Sequence, residues 1–260
     1  MLGILTPLVS EFRSNTAFIR KQYYRSQNTK LDIDFNLIIN DLEIYLNDFI
    51  SIFKWYLQEV VQKLEQKHMF DLKAKSFEFD DLLVLSFNYT STFSHFYSTK
   101  AKVEYVHGQV GKDLVLGIPD LKNEFLKKFK NYSFTKYHQK LLKDTDYLFL
   151  DENPKIKSMF ESRGVGQRRI NIYIWGHSLA DSDENYIHEI FSLNRKESVE
   201  CRVVVYFYEN DAPTLLNNLL DILDKDIIEK WMKKGWLKFE KNLEIDFGIN
   251  EESVNEQQAS

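Results

Sequence analysis

Three apolar runs of strand length stop abruptly at polar or glycine residues, and nothing else in the chain constrains the fold as tightly. Leu82-Leu83-Val84-Leu85-Ser86 runs into Phe87-Asn88-Tyr89-Thr90-Ser91-Thr92-Phe93. Val103-Glu104-Tyr105-Val106 runs into His107-Gly108, and Ile170-Asn171-Ile172-Tyr173-Ile174-Trp175 into Gly176-His177-Ser178. Runs of this kind mark strands buried in a parallel sheet. In open α/β sheets, ligands bind beyond the carboxyl ends of such strands. The expected fold is therefore α/β, a mostly parallel sheet flanked by helices. Asn88, His107 and Ser178 stand where that sheet presents its chemistry.

The second half continues the alternation. A helix opens near Asp183, a strand covers Arg202 to Tyr208, and helices cover 211–224 and Lys225 to Lys234. One or two edge strands fit between Trp236 and Phe247. Strand–helix alternation with right-handed crossovers gives a parallel sheet. Ahead of it, Phe35, Ile38, Leu42, Tyr45, Phe49, Phe53, Tyr56, Val60 and Leu64 recur at three- and four-residue steps without Gly or Pro. That period predicts one long N-terminal helix over about 33–67, roughly 50 Å in length. Ile39, Leu46, Ile50, Ile52, Leu57 and Val61 widen its apolar face and predict burial on two sides. Residues 1–30, polar and aromatic, read as a short helix or a frayed lead-in. Lys122 to Tyr147 reads as two helices broken near Asn131, within a helical insertion over about 120–165. Pro154 and Ser162-Arg163-Gly164-Val165-Gly166 mark loops. The expected organisation is a helical lead-in over 1–79, an α/β domain over 80–249 and a disordered polar tail over 250–260.

Composition removes several function classes. A net charge of −5 argues against nucleic acid as partner, because phosphate binding needs a basic surface. The basic run from Lys122 to Tyr147 reads as a solvated helix face, with contact to an anionic ligand as the alternative. A single cysteine, Cys201, forbids an internal disulfide framework, and a cytoplasmic location is the simple expectation. No apolar run reaches the roughly 18 residues of a membrane helix. The opening Met1-Leu2-Gly3-Ile4-Leu5-Thr6-Pro7 lacks the pattern of a signal peptide. Asn88-Tyr89-Thr90 and Asn131-Tyr132-Ser133 match glycosylation sequons, by chance in a cytoplasmic chain.

Each candidate site has a plain structural alternative. Gly176-His177-Ser178 has the look of a turn that exposes a nucleophilic serine. The only histidine after Ser178 is His188, in the immediately following helix, so a hydrolase triad fails on chain order. The turn better suits a phosphate or ribose: Gly176 permits close approach, Ser178 offers a hydroxyl, and a helix N-terminus supplies amide donors. Asp183 serves equally as that helix's N-cap or as a ligand contact. His107 suits a general base, against the alternative of a histidine satisfied within a loop. Asn88 suits ligand contact or a simple turn. His107 and His177 have no Cys or His at ligand spacing, so no metal is expected.

In combination, the segment Phe87 to Phe93, then His107-Gly108, then Gly117, then Ile174-Trp175-Gly176-His177-Ser178-Leu179 with Asp183, resembles the bacterial abortive-infection AbiH family. The resemblance covers about residues 80 to 210. It implies a Rossmann-like (sirtuin-like) fold and a role in antiphage defence with NAD as substrate or ligand. By the same resemblance, Asn88 contacts the nicotinamide ribose and His107 activates a ribose hydroxyl or water. Gly176 and Ser178 hold the ribose and phosphates, and Phe87, Thr90, Gly108, His177 and Asp183 complete the cofactor pocket. The implied reaction is cleavage of the nicotinamide–ribose bond, a possible NAD glycohydrolase activity.

Two positions depart from the family pattern. Thr90 stands where sirtuin-like relatives carry an acid. Relatives also open with a strand and a Gly-Asn-Gly-Phe-Asp-like turn for the phosphates, whereas Gly3 is the only glycine before Gly108. The expectation is a truncated member or one whose cofactor grip is lost. A missing strand would leave apolar surface for a partner or second copy, hence an expected homo-oligomer. The competing class is a non-catalytic sensor or scaffold that binds a nucleotide or a phage-derived trigger.

Overall fold

A computed structural model describes residues 5–7, 17–27, 30–63, 71–72, 82–118, 124–143, 150, 154, 168–195 and 199–246. The expected tail over 250–260, and most of the insertion between 144 and 167, lie outside the described residues. In chain order, β1 (Leu5–Pro7) pairs antiparallel with β2 (Ala17–Ile19), and β3 (Tyr24–Gln27) with β4 (Lys30–Ile33). Then come α1 (Phe35–Tyr56), β5 (Asp71–Leu72), β6 (Leu83–Ser86), α2 (Thr92–Phe96) and β7 (Lys102–Tyr105). The helices α3 (Glu124–Phe129) and α4 (Lys136–Leu142) follow, with Asn131 between them. The last elements are β8 (Arg168–Ile174), α5 (Glu184–Ser192), β9 (Val199–Phe207), α6 (Ala212–Ile222), α7 (Lys225–Lys233), β10 (Leu237–Lys241) and β11 (Ile245–Asp246).

The chain divides into two compact units, residues 1–63 with 116–139, and residues 64–115 with 140–260. In the first, the segment before α1 forms antiparallel strands where a short helix or frayed lead-in was expected. The strands are only three or four residues long, too short to carry a clear two-residue period. Asp34 ends the β3–β4 hairpin and caps α1, its carboxylate accepting from Leu37 N at 3.1 Å and from Arg25 Nη2 at 2.8 Å. The Arg25 guanidinium holds the Asp34 carboxyl below its usual range. α1 runs on as a π-helical turn, Leu57–Val61. Its burial is narrower than the apolar pattern suggests. Ile39 and Leu57 are buried, whereas Phe49, Ile52 and Trp55 stay 57%, 65% and 61% exposed.

The second unit holds the parallel strands. β8, β9 and β10 form one parallel sheet in the order β10-β9-β8, with Ile172 opposite Val203 and Leu237 opposite Val203 on the other side. β6 and β7 form a separate parallel pair in which Ser86 lies opposite Tyr105. A continuous Rossmann-like sheet is not evident among the described residues. The two sets share a core instead. Cys201, Val203 and Val205 of β9 pack with Ile187, Ile190 and Phe191 of α5, Leu215 and Leu219 of α6, and Ile228 and Trp231 of α7. Leu83 and Leu85 of β6 join this cluster from its margin. Full burial of each such side chain contributes about 1.5–3 kcal/mol. The helices cover one face of the three-stranded sheet. On the other, Asn171, Tyr173, Arg202, Lys238 and Glu240 are exposed. Beyond β7, Gly108 and Leu114 form an isolated antiparallel bridge.

Candidate functional site

The site forms at the carboxyl ends of β6, β7 and β8, all within the second unit. Past β7 the backbone turns sharply at Gly108, whose φ is +84°. A Cβ there would lie 2.0 Å from the Asp113 carbonyl oxygen, so both the dihedral and the close approach require glycine. Val115 N donates to His107 O at 3.0 Å, and this return of the chain fixes the histidine. His107 is 4% exposed. Its Nε2 lies 3.0 Å from Asp183 Oδ1.

Asp183 arrives from the opposite strand end. After β8 the chain passes Gly176 (φ +66°) and Leu179 (φ +54°), then a 3₁₀ turn over Asp181–Asp183 opens into α5. Leu179 is buried, and a left-handed non-glycine residue costs about 1–3 kcal/mol. The hydrogen bond from Leu179 N to His177 Nδ1, at 2.9 Å, helps to hold this geometry. His177 Nε2 then lies 3.6 Å from Asp183 Oδ2. Ser182 Oγ donates to the same oxygen at 3.2 Å. Asp183 occupies the N-cap position of α5 but makes no side-chain cap hydrogen bond. Its carboxylate faces the two imidazoles instead.

Phe87, the first residue past β6, packs edge-on against three rings: His177 at 4.5 Å, His107 at 5.3 Å and Tyr186 at 5.3 Å between centroids. Lys140 Nζ sits 4.4 Å from the centre of the Tyr186 ring, a cation–π contact. Tyr89 donates its hydroxyl to Val115 O at 2.9 Å. Its pKa is pushed up to about 12, first by burial and then by the Asp183 charge.

The side chains of Phe87, His107, His177 and Asp183 are therefore brought together. Asn88, Gly176 and Ser178 lie at the surface. Asn88 N donates to Ser86 Oγ at 3.2 Å, Thr90 Oγ1 shares a hydrogen bond of 2.7 Å with Thr92 Oγ1, and Ser178 O accepts from Asn218 Nδ2 at 2.7 Å. Sequence reasoning missed Tyr186 and Lys140. Tyr186 was within reach, since it follows Asp183 by three residues and so shares its helix face. Lys140 belongs to a lysine-rich helix that reads as solvated, and no local pattern marks it. Among the described residues no group of three or more His, Cys, Asp or Glu could hold a metal ion, and no helix is long and apolar enough to cross a membrane.

A family model described as "Bacteriophage abortive infection AbiH" matches residues 10–207. The chain belongs to the AbiH family. AbiH membership implies a part in abortive-infection defence against bacteriophage. The AbiH match takes in every side chain of the His107–Asp183–His177 cluster and ends at Phe207, the last residue of β9. The helices α6 and α7 thus lie beyond it, although they complete the core under the site. No curated protein and no solved structure matches the chain.

Proposed function

We propose that this AbiH chain acts in phage defence by cleaving the nicotinamide–ribose bond of NAD in a sirtuin-like pocket at the ends of β6, β7 and β8. One observation carries the reading: a buried histidine, His107, is hydrogen-bonded to a carboxylate at the carboxyl end of a parallel strand. A histidine oriented by an acid is the usual apparatus of a general base. Thr90 brings no acid to the site, and Asp183 supplies the carboxylate from another strand end.

In the proposed step the C1′–N bond breaks and its electron pair passes to the nicotinamide nitrogen, neutralising the pyridinium. The ribose carbon gains oxocarbenium character. A water oxygen forms the new bond to C1′, and its proton passes to His107. The products are nicotinamide, ADP-ribose and a proton. Asn88, at the exposed end of β6, fixes the ribose, and the Gly176–Ser178 turn meets the remaining polar groups of the substrate. Those residues fit the ribose end of NAD; the described residues ahead of Asn88 include no glycine to cradle a diphosphate. His107 is buried and packs against the rings of Phe87 and Tyr186, so the proposed reaction needs that packing to open for the substrate.

The test is incubation of the purified protein with NAD while free nicotinamide is measured. His107→Ala is expected to lower the rate by at least about 10²-fold. Turnover untouched by that substitution would remove His107 from the chemistry. Absence of nicotinamide release from the wild-type protein, with NAD still bound, would favour the non-catalytic sensor.

A further inference from the structure

We propose that Asp183 is the positioning residue of the site, fixing the tautomer of His107 so that Nδ1 is the atom that takes the proton. The tautomer is a property of the fold; its catalytic consequence rests on the NAD-cleavage reading above.

The argument begins with a role Asp183 does not take. An aspartate at a helix N-cap ordinarily accepts from the amides of the first turn. Here the position is right and that hydrogen bond is not made. Asp183 is 9% exposed, and its carboxylate is turned toward two imidazoles. Burying a carboxylate is costly unless donors meet it, so this orientation requires donors at both oxygens, and the Ser182 hydroxyl already meets Oδ2.

His177 shows which nitrogens supply them. Leu179 N–H donates to its Nδ1, so Nδ1 carries a lone pair and the neutral ring carries its proton on Nε2. That Nε2–H faces Asp183 Oδ2. The backbone thus holds His177 as a fixed donor, with its one lone-pair nitrogen already engaged. The strained Leu179 and the edge-on packing of the ring against Phe87 keep it there. His177 therefore belongs to the scaffold of the carboxylate.

With Oδ2 facing His177 and Ser182, Oδ1 faces His107 Nε2 at 3.0 Å. An acceptor at that distance places the His107 proton on Nε2 and leaves the lone pair on Nδ1. The same logic assigns a carboxylate that orients a histidine without exchanging a proton with it. Of the two imidazoles that the sequence offers, the geometry selects His107 as the base and His177 as support.

Two measurements test this. In protein labelled with ¹⁵N-histidine, the nitrogen shifts of His107, assigned by the loss of its signals in His107→Gln, report the tautomer without any substrate. The expected result is protonation at Nε2. Protonation of the wild-type ring at Nδ1 overturns the proposal. In the second measurement, kcat and KM for NAD are compared between Asp183→Asn and Asp183→Glu. Asn offers an N–H as well as a carbonyl and no longer enforces the tautomer, so kcat falls about 10²–10⁴-fold with KM little changed. Glu keeps the acceptor and recovers part of kcat. Asp183→Asn with full kcat, or equal losses in both variants, overturns the proposal. The Nε2-protonated ring in a protein that leaves NAD intact upholds the geometry and removes only the NAD reading.

Discussion

His107 and Asn88 stand at equivalent steps along neighbouring strands. Ser86 lies opposite Tyr105, and each candidate follows two residues later. Yet His107 is buried and Asn88 is exposed. The difference lies in what the chain does next. After His107 it returns through Asp113–Val115 and closes over the histidine, and the turn from β8 brings Asp183 to the ring. After Asn88 it runs directly into α2, and only Ser86 Oγ meets the Asn88 backbone amide. Being at the end of a parallel strand offers a residue to solvent or ligand. Later segments decide whether it becomes part of a buried polar cluster or stays on the rim.

The contrast between cluster and rim is sharpest in adjacent residues. Leu179 is 1% exposed in a left-handed conformation, while Ser178 before it is exposed. Leu179→Ala removes buried contacts from the core that supports Asp183 and should cost about 2–5 kcal/mol. Ser178→Ala should stay within about 0.5 kcal/mol. Denaturant melts of the two variants check this. Equal destabilisation would erase the division between the two regions.

Two glycines give the next contrast. Gly108 has both a positive φ and a carbonyl 2.0 Å from the site of a Cβ, whereas Gly176 has φ +66° and nothing within 4 Å. Gly108→Ala should therefore cost about 3 kcal/mol or more, dihedral strain and overlap adding together. Gly176→Ala carries only the strain, about 1–2 kcal/mol. Thermal unfolding of both variants gives the ranking, and a reversed order would mean that the β7 turn is not pinned by Asp113–Val115. For the rim, if the proposed NAD cleavage takes place here, Asn88→Ala should lower it by about 10²-fold while leaving the melting temperature unchanged. His107→Ala should lower both, because it removes a partner from a buried carboxylate. A loss of stability in Asn88→Ala equal to that of His107→Ala would break the comparison.

Much of this was legible in the sequence, and the failures share a cause. The apolar runs marked β6, β8 and β9, the apolar Tyr186, Ile187, Ile190 and Phe191 marked α5, and Asn210 or Asp211 marked the start of α6. These patterns are local. The division of the parallel strands into a pair and a triplet depends on which strand meets which, and strand composition does not specify its neighbour. The same limit applied to Asp183. An aspartate opening a helix has one local pattern whether it caps that helix or faces a histidine 76 positions earlier. β1 to β4 were missed because strands of three or four residues are too short to show an alternation that distinguishes them from a loop.

The smallest expected effect concerns pH, and it tests the reach of the buried charge. Tyr89 lies beside the cluster, its pKa raised from 10.0 to about 12 by burial and by Asp183. Raising the folded-state pKa of a phenol means that the folded state disfavours the phenolate more than the unfolded chain does. The resulting stability is fully present below pH 10 and is lost as the pH rises toward 12. Tyr97 and Tyr206 are raised as well, so the protein as a whole should weaken across that window. Tyr89→Phe cannot ionise, and it also gives up the hydrogen bond to Val115 O. The variant should be slightly less stable than wild type at pH 8, by about 1 kcal/mol. Its stability should then fall less steeply between pH 10 and 12. Denaturant midpoints at a series of pH values give both slopes. Parallel curves would show that burial and the Asp183 charge together do not raise the Tyr89 pKa, and the ring would then lie outside the buried cluster.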